Sequence, residues 1–220
     1  INQYFAREFG GEQTPKIINL SYRRQEQLRY GENPHQTAAL YRDLIRAEAS
    51  VPFAKKLHGK QLSYNNILDI TEAFELVKDF KDPCVAIIKH TNPSGCAIAD
   101  TIEGAFQKAH EADPMSAFGG IIALNRPLNM AIAQKVSEIF MEAIIAPGYD
   151  PEALELITQK KNIRILQTRD VSQSQEGVDV RSITGGVLVQ SRNWPDLQEG
   201  DLKVVTKRAP TENEIQDLLF

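Results

Sequence analysis

The 220-residue chain has only two cysteines, Cys84 and Cys96. A secreted disulfide scaffold packs more of them into a shorter chain, so the pair reads as two free thiols of a reducing compartment, with a single bridge between them as the alternative. Long apolar runs are missing too. The longest is about five residues, far short of the ~20 that span a bilayer. The first residues lack the charged-then-apolar pattern of a secretion signal. There is no basic excess: 25 Lys and Arg stand against 29 Asp and Glu, a net charge of −4. That balance argues against holding nucleic acid by phosphate neutralisation. No Walker A sequence and no dinucleotide glycine fingerprint occurs, so phosphate is not cradled by those devices. No C-x-x-C or H-x-E occurs, so a zinc deaminase site lacks its usual parts. His35, His58, His90 and His110 include no i, i+4 pair, which leaves metal catalysis unsupported. These absences point to a cytoplasmic protein with no membrane or nucleic-acid partner.

What remains is an ordinary globular composition, 42% apolar and 25% charged, enough for one large domain or two small ones. Short apolar runs at 85–88, 121–124, 144–145 and 187–189 read as strands, and so does the mostly apolar 163–166. Helical spacing falls between them. Ile67, Ile70, Ala73, Phe74 and Val77 form one stripe. Asp100 and Thr101 cap a helix to 112 with Ile102, Ala105, Phe106 and Ala109 inward. A helix over 129–142 presents Ile132, Val136, Ile139 and Phe140, and Asp150-Pro151 opens another to about 160. The alternation predicts α/β architecture with helices on both faces of a sheet. Residues 172–177 read as a surface loop and 196–203 as the start of a link. Residues 1–9 look like the tail of a helix. Thr211 to Glu214 form a capping box that opens another helix close to Phe220. Both ends thus read as cut from something longer.

Several segments could carry chemistry. In V-A-I-I-K-H-T-N-P-S-G at 85–95, a strand runs into Lys89 and His90, with a turn expected at Asn92-Pro93 and Gly95. Open α/β sheets bind ligands beyond the carboxyl ends of their strands, which would place the pair at a crevice. Imidazole suits a general base near neutral pH, and an adjacent ammonium opposes its protonation and can stabilise an oxyanion. The plainer alternative is a solvated Lys and a His bonded into the turn. At 28–36, Arg29 offers a donor fork for phosphate or carboxylate and Tyr30 a ring and hydroxyl, on a loop that otherwise serves only as surface. At 113–120, Met115 and Phe118 could wall a flat ring while Gly119 and Gly120 admit a ligand to the backbone, or Phe118 simply enters the core. Leu57, His58, Gly59 and Lys60 with 63–66 form a polar loop before a helix, where Asn65 or Asn66 either meets an anion or caps the helix. Glu142 is either a solvated helix-end carboxylate or an acceptor that orients a ligand.

In order along the chain, R-Y-G-E-N-P-H-Q at 29–36, L-H-G-K at 57–60, S-Y-N-N at 63–66, K-H-T-N-P-S-G at 89–95, D-P-M-S-A-F-G-G at 113–120 and I-I-A-P-G-Y at 144–149 resemble one family. It is the aminoimidazole carboxamide ribonucleotide (AICAR) transformylase region of the bifunctional purine biosynthesis enzymes. The resemblance implies a cytidine deaminase-like three-layer α/β/α sandwich without zinc. It also implies formyl transfer from 10-formyltetrahydrofolate, as cosubstrate, to the 5-amino group of AICAR. His90 matches the proton acceptor and Lys89 the transition-state stabiliser. Arg29, Tyr30, Asn65, Gly119 and Glu142 match nucleotide contacts, and Met115 and Phe118 lie near the folate. A homodimer is implied, because the family site lies at a dimer interface. The implied division is 1–20 as the end of a cyclohydrolase domain and linker, 21–195 as the first transformylase subdomain, and 196–220 as a linker and the start of a second. The chain would then hold the first-half catalytic pair without a complete site. The alternative is a nucleotide-binding or dimerisation piece that does no catalysis.

Overall fold

The runs at 84–88, 121–124 and 143–146 are apolar at every position, as strands covered on both faces must be. The structure, a computed structural model, describes residues 16–46, 48–173, 177–193 and 199–218. The chain divides into two compact units, Ile1–Gln173 and Ser174–Phe220.

In the first unit the order is β1 (Tyr22–Leu28), β2 (Ala38–Asp43), β3 (Lys55–His58), α1 (Tyr64–Lys78), β4 (Cys84–Lys89) and β5 (Asn92–Ile98). Then come α2 (Ile102–Ala112), α3 (Pro114–Ala117), β6 (Ile121–Leu124), α4 (Met130–Glu138), β7 (Ala143–Ala146), α5 (Pro151–Thr158) and β8 (Arg164–Gln167). Six strands make one sheet in the order β3-β8-β7-β6-β4-β5, and β1 with β2 forms a separate ribbon. Strands β6, β7 and β8 run parallel; β4 is antiparallel to β6, β5 to β4, and β3 to β8.

Side chains alternate across this sheet. Cys84, Ala86 and Ile88 face α1, packing with Ile70, Ala73, Phe74 and Val77. Val85 and Ile87 face the other way, with Ile122 and Ile144, toward Phe106 of α2, Ile132 and Val136 of α4 and Ile157 of α5. The result is the expected three-layer α/β/α sandwich. Phe74 has no exposed surface, so its truncation to Ala would cost about 3–5 kcal/mol.

Local signals place the helices. Ser63 Oγ accepts from Asn66 N at 3.1 Å and Ser63 N donates to Asn66 Oδ1 at 3.2 Å, a capping box that starts α1. Thr101 and Asn129 cap α2 and α4 by side chain alone, accepting from Gly104 N at 3.1 Å and Ile132 N at 3.2 Å. The helix expected over 129–142 ends at Glu138. Ile139 is extended (φ −108°, ψ 158°), because the chain must straighten to feed β7. Phe140 therefore leaves the core stripe. The turn expected at Asn92-Pro93 lies two residues earlier, at His90-Thr91. Pro93 instead sits in β5, an edge strand, where a missing N–H costs no ladder bond. Residues 57–58, expected in a loop, belong to edge strand β3. The expected helical tail at 1–9 lies outside the described residues, as do 174–176 of the expected loop and 196–198 of the expected link.

The second unit holds an antiparallel hairpin, β9 (Val178–Ile183) and β10 (Gly186–Ser191), and a short helix, α6 (Glu212–Leu218). Its capping box is formed: Thr211 N donates to Glu214 Oε2 at 2.7 Å, and Glu214 N to Thr211 Oγ1 at 3.3 Å. The Arg208 guanidinium, 2.8 Å from Glu214 Oε1, holds that carboxyl down at about 2. Among the described residues no helix is long and apolar enough to cross a membrane.

Candidate active site

The strand directions decide where the motifs meet. Ile88 of β4 pairs with Ile121 of β6, Ile121 with Ala143 of β7, and Ala143 with Arg164 of β8. The carboxyl end of β4 therefore lies beside the amino ends of the three parallel strands. The carboxyl-end rule holds for β4 alone. Phe118, Gly119 and Glu142 come from the loops that enter β6 and β7, and Arg164 opens β8.

Lys89, half-buried, closes β4 and donates from Nζ to Phe118 O at 2.9 Å, spanning to the loop before β6. Lys89 pairs with Asn92, which leaves His90 and Thr91 as a two-residue hairpin loop. Their φ angles are +51° and +60°, as a type I′ turn requires at both central residues. Neither is Gly, and Thr is β-branched, so each stores about 1–3 kcal/mol of backbone strain. His90 is exposed at the tip. Its carbonyl accepts from Thr91 Oγ1 at 2.7 Å and from Asn92 Nδ2 at 2.9 Å. Thr91 N donates to Asp69 Oδ1 of α1 at 2.8 Å.

The segment at 113–120 stands next to it. Asp113 Oδ1 accepts from Ser116 N at 2.9 Å to cap the short α3; bonds from Ser116 hold its carboxyl below the ordinary value. Met115 is 87% exposed and Phe118 61% exposed. Phe118 is thus outside the core, and its ring packs on Phe140 at 5.3 Å between centroids. Gly119 has φ +74° and donates from N to Phe140 O at 2.8 Å. A Cβ there would meet the left-handed penalty, while its 3.4 Å approach to the Phe140 ring would be an ordinary contact. These two exposed rings and Met115 make an apolar shelf beside the Lys89 contact.

Glu142 enters β7, and its N donates to Gly120 O at 2.9 Å. Its Oε2 accepts from Arg164 Nη1 at 2.7 Å and from Asn66 Nδ2 at 3.4 Å. It is thus a held carboxylate, not one simply pointing to solvent. Asn66 caps α1, and Asn65 is exposed in the same first turn. Arg29 (exposed) and Tyr30 (half-buried) follow β1. Gln61 joins that strand to this end of the sheet: its Nε2 donates to Glu26 Oε1 at 2.8 Å and Gln27 O at 3.1 Å, and its carbonyl accepts from Arg164 Nε at 3.2 Å.

Lys89, His90, Phe118, Gly119, Asn65 and Glu142 are therefore mounted on one end of the sheet, with Met115 on the adjoining α3 and Arg29 and Tyr30 on the adjoining ribbon. Pro147, Gly148 and Tyr149 lie at the opposite end of β7. There the Tyr149 hydroxyl donates to Leu166 O at 2.7 Å, and burial pushes its phenol pKa up. Sequence reasoning missed Arg164 and Asp69 and placed Phe140 in a helix core stripe. Each site contact becomes visible only when the fold brings segments distant in sequence together. Cys84 and Cys96 are free thiols with Sγ atoms 3.9 Å apart. No cluster of His, Cys, Asp and Glu able to hold a metal ion occurs among the described residues.

A family model described as the AICARFT/IMPCHase bienzyme matches residues 1–220. The bifunctional purine biosynthesis protein PurH of Oceanobacillus iheyensis is 46% identical over 209 residues, 95% of this chain and 41% of its own length. The protein of that name from Acetivibrio thermocellus is 44% identical over 222 residues, 100% of this chain and 43% of its own. That of Halalkalibacterium halodurans is 47% identical over 208 residues, 94% and 41%. The chain spans about two-fifths of the length of these relatives.

Proposed function

The chain belongs to the AICARFT/IMPCHase bienzyme family, and from that membership we propose that the sheet end bearing Lys89 and His90 serves formyl transfer to AICAR. The observation that carries this is the placement of His90, at the tip of a strained turn, on the same sheet end as a clamped carboxylate, Glu142, and an exposed apolar shelf.

The AICAR amine is conjugated with its ring and carboxamide and attacks weakly. His90 takes an amine proton as nitrogen bonds to the formyl carbon of 10-formyltetrahydrofolate. Negative charge grows on the formyl oxygen, where the Lys89 ammonium stabilises it. Collapse then breaks the bond to the folate nitrogen, which takes up one proton, so the proton balance closes. Arg29, Tyr30, Asn65, Gly119 and Glu142 hold the nucleotide. Met115 and Phe118 pack on the folate ring. The reaction is a step of purine biosynthesis, performed in the cytoplasm. Residues 21–195 serve as the first transformylase subdomain. The rest of a PurH-length protein and a second copy complete the site, so this stretch alone binds nucleotide without turnover.

In a PurH-length form, His90→Ala should lower turnover by about 10²–10⁴-fold, the usual worth of a general base. Its circular dichroism and melting should be unchanged. Unchanged turnover removes the mechanism. Calorimetry of the 220-residue chain with AICAR separates binding without catalysis from no binding at all.

A further inference from the structure

Asp69 is a positioning residue for the His90 turn, we infer, and this role rests on the formyl-transfer reading of His90. Both residues of the loop have positive φ, although neither is Gly and one is Thr. The bonds from Thr91 Oγ1 and Asn92 Nδ2 to His90 O lie within the hairpin and travel with it. Among the hydrogen bonds of the described residues, the one tying this loop to another element runs from Thr91 N to Asp69 Oδ1, at 2.8 Å. A carboxylate acceptor makes it charge-assisted, about twice as strong as a neutral pair. It meets the amide of the very residue whose conformation is least favourable.

Asp69 lies three positions after Asn66, on the same face of α1. Asn66 bonds Glu142. One helix face thus holds the turn that presents His90 and the carboxylate proposed to meet the nucleotide, and so fixes their spacing. Asp69 contacts backbone, not the imidazole, and its effect is on where His90 points. Without it, Thr91 can leave the left-handed region and take the imidazole with it.

The test uses Asp69→Ala, Asp69→Asn and the double variant Asp69→Ala/Thr91→Gly in the PurH-length form. Asp69→Ala should lower kcat by about 10²-fold, the cost of misplacing a reacting group by roughly 1 Å, with KM for AICAR little changed. Hydrogen exchange of the peptide covering 88–95 should speed up about tenfold. Asp69→Asn keeps an oxygen acceptor and should stay within about threefold of the parent in both readouts. Adding Thr91→Gly to Asp69→Ala should recover kcat, because Gly holds positive φ with no clamp. Parental kcat and exchange in Asp69→Ala overturn the assignment, as does a kcat loss that Thr91→Gly fails to recover. If even the parent transfers no formyl group, the formyl-transfer reading fails, and the exchange rates still decide whether Asp69 clamps the turn.

Discussion

Arg164 opens β8 with its guanidinium 2.7 Å from Glu142 Oε2, its side chain only 14% exposed. In the sequence it is one charged residue inside a short apolar stretch, between Ile163 and Ile165, with no motif around it. Glu142 was open to two readings for the same reason: its partner lies 22 positions away and one strand over. Lys89 and His90 stood out because both chemical groups are adjacent in the chain. The pair Glu142–Arg164 yields a residue-level expectation. Arg164→Ala removes the short bond and leaves Glu142 with the 3.4 Å contact to Asn66. The carboxylate then wanders, and AICAR affinity should fall about tenfold, the worth of one charged hydrogen bond. Calorimetry on the form that binds AICAR reads this directly. Unaltered affinity would mean that Glu142 does not meet the nucleotide.

The elements most legible in the sequence were those buried on one stripe or on two faces: α1, α2, β4, β6 and β7. Their patterns are set by burial, and burial writes itself into local spacing. Edge strands β3 and β5 were not legible. One side of each is unpaired, so polar residues and even Pro93 are tolerated there. Strand β5 is held instead by a close approach that no pattern reveals. A Cβ on Gly95 would sit 1.9 Å from Ala109 O of α2. Gly95→Ala must therefore push strand and helix apart and should destabilise the first unit by about 1–3 kcal/mol. Gly148→Ala is the matched control: its Cβ would rest 3.6 Å from the Pro127 ring, an ordinary contact, and should change stability by under about 0.5 kcal/mol. Urea unfolding of both variants decides it; equal midpoints would mean that α2 yields freely. The cost of lost packing here also touches the turn, since β5 is the return strand of the hairpin that carries His90.

At the scale of the whole molecule the two units differ in how much they can bury. In the first, β4, β6 and β7 lie between helical layers, buried along nearly their whole length. In the second, β10 is exposed at all six positions and β9 at five of its six, including Val178, Ile183, Val187, Leu188 and Val189. A lone two-stranded hairpin is marginal in water. Its apolar residues alternate too little to announce which side seeks cover, so the sequence could mark residues 187–189 as a strand without indicating a partner. Native-state hydrogen exchange should separate the units. Amides of β6 and β7 should exchange only through global opening, with rates that rise steeply with added denaturant. Amides of β9 and β10 should exchange by local opening, orders of magnitude faster and nearly insensitive to denaturant. If two copies cover the hairpin when they associate, its protection grows with protein concentration while that of β6 and β7 rises in step with assembly. Equal protection in both units at low concentration would show that the hairpin is stabilised within one chain, and would remove association as the reason for its apolar residues.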